Sequence, residues 1–280
     1  MSPKKASGKL NKLLGRTMLH VQVGDDLKDF GVHKDLICHY SPYFNAAFTS
    51  GFEETRTGVM KLSTTEPEVF ELFYHWLYTQ DLYLPAWDPA SSSSEVDGAV
   101  GLEENHSSCT LCKAIDDDDE DSDGDGYDSD YEASREFIKG HDNNCLIDTF
   151  HKKQLKLLAM LYVFADMTRI PALQNLCLER FYNTTNTNND VPVELIEYIW
   201  ENTAESSQLR KIMIDMLVWE HPASSYVTAH KVIPNSVKDE VLFTMARRFR
   251  CTRMNKKGAK VNPLTDITNY HVKVNEKITS

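Results

Sequence analysis

The side chains with the most obvious chemical potential in this chain are carboxylates. Asp121, Asp123 and Asp125, with Gly126 behind them and Glu132 further on, repeat the spacing of a calcium loop, in which oxygens at positions 1, 3, 5 and 12 surround the ion and the glycine makes the turn. Two features oppose that reading. Asp128 stands where such loops carry an aliphatic side chain, and the charges of Asp116 to Glu120 would repel one another in the helix that should lead into the loop. So acidic a tract matches the pattern by chance, and no metal is assigned; the loop is kept as the weaker reading. His106, Cys109, Cys112, His141 and Cys145 are ligand types that suit zinc, but only one close cysteine pair exists and the other candidates lie beyond the acidic run. Ser122 and Ser129 each stand three residues before an acid, Asp125 and Glu132, a context that acid-directed kinases favour. A solvating loop with unmodified serines accounts for them equally well.

Nothing assembles into a catalytic centre. Cys38 and His39 are consecutive, so on a helix they project about 100° apart and cannot act as a pair. The chain has no phosphate-cradling glycine loop, no His-Glu-x-x-His and no serine in a nucleophile elbow. The expectation is a protein that is not an enzyme, with no cofactor and no small-molecule substrate. Arg247, Arg248, Arg250, Arg253, Lys256, Lys257 and Lys260 form a basic cluster at the end of a helical pattern, where the helix dipole favours positive charge. Nuclear import, or a contact with the acidic tract, is a second use for them. Aromatic side chains are not interleaved with them as a nucleic-acid platform would require, so nucleic acid is not expected as a partner.

The elements that would carry these residues follow from composition and periodicity. The 280 residues are 41% hydrophobic and 26% charged, as in folded domains, and carry a net charge of -12. Most of the acidic excess falls between Pro85 and Phe150, where Lys113, Arg135 and Lys139 are the only Lys or Arg residues; outside it the two signs nearly balance. With its serine run Ser91 to Ser94 and its acids, that segment cannot bury enough apolar surface to offset ordering entropy, and residues 85–151 are expected to be an acidic, mostly disordered insertion. No apolar run approaches the roughly 20 residues of a membrane span, and Met1 to Arg16 lacks the apolar core of a secretory signal. With six irregularly spaced cysteines best taken as reduced thiols, a cytosolic or nuclear location without membrane contact is expected.

Residues 1–16 are expected to form a disordered basic tail. Met18 to Val23 favours a strand; Gly24, Asp25 and Asp26 signal a turn; Phe30 to Val32 returns as a hairpin. Ser41 before Pro42 is a helix start, with Phe44, Ala47 and Phe48 on one face. Val59 to Leu62 is another short strand, and Thr65 with Glu68 forms a capping box before a helix that buries Val69, Phe70, Phe73, Trp76 and Leu77. Order is expected to resume at Gln154, with Leu155 to Ala165 in a helix covered on most sides and a second helix after Pro171. Beyond an Asn- and Thr-rich linker from Asn183 to Asn189, three helices carry Leu195, Ile196 and Ile199, then Leu209, Ile212, Met213, Met216 and Leu217, then Val237, Val241, Met245 and Phe249. The last stretch to Ser280 is weakly patterned and is expected to be loose.

Val21-Gln-Val-Gly24, Phe30-Gly-Val-His33-Lys34, Ser41-Pro-Tyr-Phe44, Phe52-Glu-Glu54 and Trp76-Leu-Tyr78 together resemble the BTB/POZ family in order and spacing, and their wording is most similar to its fungal branch. Leu161-Tyr162 and Ala165-Asp166 resemble that family's later helical hairpin. The resemblance implies an α+β fold in which a small sheet is capped by a helical cluster. Its first part would span residues 17–84 and its hairpin residues 152–183, followed by a helical extension over 190–250 and a loose basic tail over 251–280. A departure is His20, placed just before the first strand where many relatives carry an aspartate, so a ligand pocket built on that acid is not implied. Relatives that join cullin-type ubiquitin ligases do so partly through a hydrophobic-any-Glu motif after the Ser-Pro helix; Phe52 and Glu54 occupy that motif, and Tyr43 belongs to the adjoining surface. The resemblance thus implies protein partners, a cullin among them, and allows a homodimer. The leading expectation is an adaptor that recruits clients to a cullin-type ligase. The alternative is a scaffold or transcription-associated dimerisation module without any ligase link.

Overall fold

The computed structural model describes residues 14–84, 129–188, 191–220, 233–254 and 262–274, with backbone alone for 129–147, 188 and 248–254. Two compact units result: residues 1–84 with 154–280 form one, and residues 85–153 the other. The larger unit begins with a hairpin of β1 (Met18–Val23) and β2 (Lys28–His33), paired antiparallel with Val21 opposite Phe30. Gly24 makes the turn at φ +74°, a conformation that costs glycine nothing. β3 (Val59–Leu62) lies parallel on the other side of β1, giving the order β2-β1-β3. A parallel return needs a crossover. Here it consists of three short helices, α1 (Lys34–Tyr40), α2 (Pro42–Thr49) and α3 (Glu53–Thr57).

β1 alternates as a strand with one covered face should, burying Leu19, Val21 and Val23. Against that face packs α4 (Pro67–Thr79), whose Val69, Phe70, Phe73, Trp76 and Leu77 are all buried. The expected capping box does not form. Glu66 is the N-cap and Pro67 takes the first turn, while Thr65 is spent on the preceding turn, its N–H donating to the Leu62 carbonyl at 3.2 Å. Proline's fixed φ and missing donor make it the better first-turn residue, so the helix begins later than Thr65 and Glu68 suggested.

The following helix, α5, runs from Ser129 to Met167, well before the Gln154 start that periodicity suggested. α6 (Pro171–Asn188) closes the hairpin and continues through the Asn- and Thr-rich stretch that resembled a linker. Thr185 and Thr187 turn their hydroxyls back to the carbonyls of Phe181 and Asn183, at 2.9 and 2.8 Å, so these weak helix formers satisfy themselves inside the helix.

Hairpin and sheet share one core. Phe164 of α5 sits against Phe73 and Phe70 of α4, with centroids 5.1 and 6.0 Å apart, and Phe73 stacks on Phe44 of α2 at 6.0 Å. Ser41 crosses the same boundary: its Oγ accepts from Phe44 N–H at 3.2 Å, capping α2 as expected, and donates to the Thr168 carbonyl at 2.7 Å.

The extension contains a 3-10 turn (Val193–Leu195), α7 (Ile196–Asn202), α8 (Gln208–Trp219) and α9 (Asn235–Met254). Its expected apolar positions Leu195, Ile196, Ile199, Leu209, Ile212, Met213, Met216, Leu217, Val237 and Val241 are buried. The last stretch departs from expectation. Residues 262–274 are not loose but form two 3-10 turns, Pro263–Thr265 and Ile267–Tyr270, with Leu264 and Tyr270 buried in the extension. No helix among the described residues is long and apolar enough to cross a membrane. The described part is thus an α+β fold, a small sheet capped by helices with a helical extension.

Candidate partner-binding site

The surface that carries Tyr43, Phe52 and Glu54 is built where α2 ends. Phe44 and Phe48, one helical turn apart, are buried and fix the helix on the core. That leaves Tyr43 half-buried at its flank, edge-on to Phe44 with centroids 5.3 Å apart. After the C-cap Ser50, Gly51 turns the chain at φ +80° with open space around it. Phe52 follows in an extended conformation as the N-cap of α3, and Gly58 ends that helix at φ +68°. The aromatic side chain of Phe52 points away from the core and is 65% exposed.

Glu54 is half-buried on α3, and its charge acts on Tyr43: burial first, and then the Glu54 carboxylate, push the phenol above its ordinary pKa. The three residues singled out from the sequence are therefore gathered around the α2 to α3 junction. Glu53 faces solvent and lies 3.8 Å from Arg56, a pair too exposed to fix anything. Sequence reasoning missed Thr55. Its hydroxyl donates to the Ala47 carbonyl at 3.1 Å and accepts from Gly51 N–H at 3.2 Å, tying the loop that displays Phe52 to the last turn of α2. A hydroxyl four residues after a turn glycine was the available signal.

The other candidates fall elsewhere. Cys38 is half-buried and its thiol is pushed up, by burial above all and by Asp35, despite Lys34; burial pushes the Cys177 thiol up more strongly. Burial thus disfavours the reactive thiolate at both positions. His20 lies inside β1, not before it, and its Nδ1 is 2.8 Å from Asp29 Oδ2 across the hairpin. Asp121, Asp123, Asp125, Ser122, His106, Cys109 and Cys112 lie outside the described residues. Ser129, Glu132, His141 and Cys145 fall in α5 where only the backbone is described. Among the described residues no three metal-ligating side chains come together. Of the basic cluster, Arg247, Arg248, Arg250 and Arg253 belong to α9, while Lys256, Lys257 and Lys260 lie outside the described residues.

Comparison with known proteins agrees with the fold. A family model for the BTB/POZ domain matches residues 17–96. A curated relative, Kelch-like ECH-associated protein 1A of Danio rerio, is 36% identical over 69 residues, which is 25% of this chain but only 12% of that relative. The match covers the sheet and the helices that display Phe52, and with the architecture it shows that this chain carries a BTB/POZ domain, a module for protein–protein contact.

Proposed function

We propose that the chain is an adaptor that works in the cytosol or nucleus and brings client proteins to a cullin-type ubiquitin ligase. Its BTB domain is interrupted by residues 85–151, and Phe52, Glu54 and Tyr43 form the cullin side. The observation that supports this reading most directly is the 65% exposure of Phe52 beside a half-buried Glu54, on a loop tied down by Thr55. A phenylalanine held out in water by a fixed loop is a natural anchor for a partner's groove, and the neighbouring carboxylate selects the register. The client side falls to residues 190–280 or to the insertion.

The test is light scattering after size exclusion, on the chain alone and mixed with the N-terminal region of the host cullin. Complete burial of a phenylalanine is worth about 1.5 to 3 kcal/mol, so covering the two-thirds still exposed gives about 1 to 2 kcal/mol. Phe52→Ala should therefore weaken the complex roughly 5- to 30-fold. No complex, with the chain running as a dimer, would overturn the ligase reading in favour of a scaffold that acts through dimerisation.

A further inference from the structure

The segment 262–274 is held against α6 and α8 in the manner of a bound peptide. Its own backbone bonds are local turns, Thr265 N–H to Asn262, Asn269 N–H to Asp266 and His271 N–H to Thr268. Side chains of the helices do the holding. Asn175 of α6 takes both backbone groups of Val272, its Nδ2 donating to the carbonyl at 3.0 Å and its Oδ1 accepting the N–H at 2.6 Å. Tyr270 is wholly buried, with its hydroxyl donating to Asp215 of α8 at 2.7 Å and Lys211 Nζ 5.1 Å from its ring centroid. His271 Nε2 lies 2.9 Å from Glu179 Oε1 of α6. Main-chain pairing that is blind to side chain, combined with one deep aromatic pocket with a polar foot, is a general design by which proteins read short peptide segments.

We propose that this α6–α8 groove is the client-binding site of the adaptor, occupied in cis by residues 262–274, and that it accepts from a partner a turn-forming segment carrying a tyrosine followed by histidine. The client role rests on the adaptor reading, but peptide binding is assayed without any cullin, so the two can fail separately. The tethered segment competes at a high effective concentration, which keeps the groove closed to weak peptides until the tether is displaced. These contacts fix what a competitor needs: a phenol for Asp215, an unblocked backbone amide two residues later for Asn175, and a ring nitrogen beside Glu179.

The experiment uses the full chain and a fluorescein-labelled peptide with the sequence of residues 262–274, read by anisotropy. Tyr270→Ala, which empties the pocket, should bind the peptide roughly tenfold or more tightly than the wild-type chain does. Adding Asn175→Ala, or changing the peptide's tyrosine to alanine, should remove that gain. Val272→Pro, which deletes the N–H that Asn175 accepts, supplies a second opened chain should Tyr270→Ala fail to fold. An opened chain that keeps its helical circular dichroism but takes up no peptide overturns the proposal, as does binding indifferent to Asn175. A wild-type dimer that Tyr270→Ala converts to monomer would assign the groove to the same segment of a second copy, and would also overturn it.

Discussion

Ser41→Ala tests whether the sheet and the helical hairpin form one cooperative body. Ser41 is wholly buried and its hydroxyl is used twice, as acceptor from Phe44 N–H and as donor to the Thr168 carbonyl. Loss of an N-cap costs about 1 kcal/mol, and a buried carbonyl left without its donor costs about 1 to 3 kcal/mol more. The expected loss of folding stability is therefore about 2 to 4 kcal/mol. Ser207→Ala is the control, because Ser207 is half-buried and its bonds to Leu209 N–H and the Tyr162 hydroxyl are longer, at 3.3 and 3.4 Å; it should lose about 1 kcal/mol. Urea unfolding followed by far-ultraviolet circular dichroism and by tryptophan fluorescence measures both, since Trp76 lies in α4 of the shared core and Trp200 and Trp219 lie in the extension. A Ser41→Ala chain no weaker than Ser207→Ala, or one whose two signals separate into distinct transitions, would refute the joint core.

Thr55→Val keeps the shape of the side chain but removes the bonds to Ala47 and Gly51; with each such bond worth about 0.5 to 1.5 kcal/mol, affinity for the proposed cullin partner, measured by calorimetry, should fall several-fold while the chain stays folded. Unchanged affinity would mean that Phe52 does not depend on a preset loop. At alkaline pH the buried phenols should dominate stability. Burial, and then the Glu220 carboxylate that accepts its hydrogen bond, push Tyr182 up to about 12 from the ordinary value of 10. Its contribution is complete below pH 10, where the unfolded phenol still holds its proton, and is lost as pH rises through 12. Urea midpoints between pH 9 and roughly 12 should fall less steeply in Tyr182→Phe than in wild type, and equal slopes would sink the assignment.

The sheet and its covering helices were legible because their periods are local. Leu19, Val21 and Val23 alternate, Phe70, Phe73 and Leu77 recur at helical spacing, and Ser41-Pro42 carries its own start signal. Phe52 was legible as a position but not as an exposed one: Phe44, Phe48 and Phe52 are spaced alike, and only the end of α2 at Thr49, with the turn at Gly51, sends the third ring outward. The segment 262–274 was not legible, because what orders it is distant in sequence. Asn175 and Asp215 are 97 and 55 residues from the groups they hold, and neither partner looks unusual in its own neighbourhood. Asn183 to Asn188 differs from expectation for a related reason: its low helix propensity suggests a linker, whereas burial of Phe181 and Thr185 against the rest of the fold decides for helix.

Contacts between the residues before Leu84 and those after Gln154 explain how the domain tolerates its interruption. The connection from Leu84 to the start of α5 at Ser129 is about 44 residues long, and each doubling of loop length adds only about 0.6 kcal/mol to closure. Against a loop of about ten residues the added cost is roughly 1 kcal/mol. Burial of Phe164 among Phe70 and Phe73 offsets that alone, at about 1.5 to 3 kcal/mol for a phenylalanine taken out of water. The hydrogen bond from Ser41 to Thr168 and the exposed ion pair between Arg180 and Asp81 at 3.0 Å then fix where the hairpin sits rather than whether it docks. Folding of the BTB core therefore places little restriction on the length of the connection between Leu84 and α5, and the acidity that dominates the chain's net charge of -12 is free to serve contacts of its own.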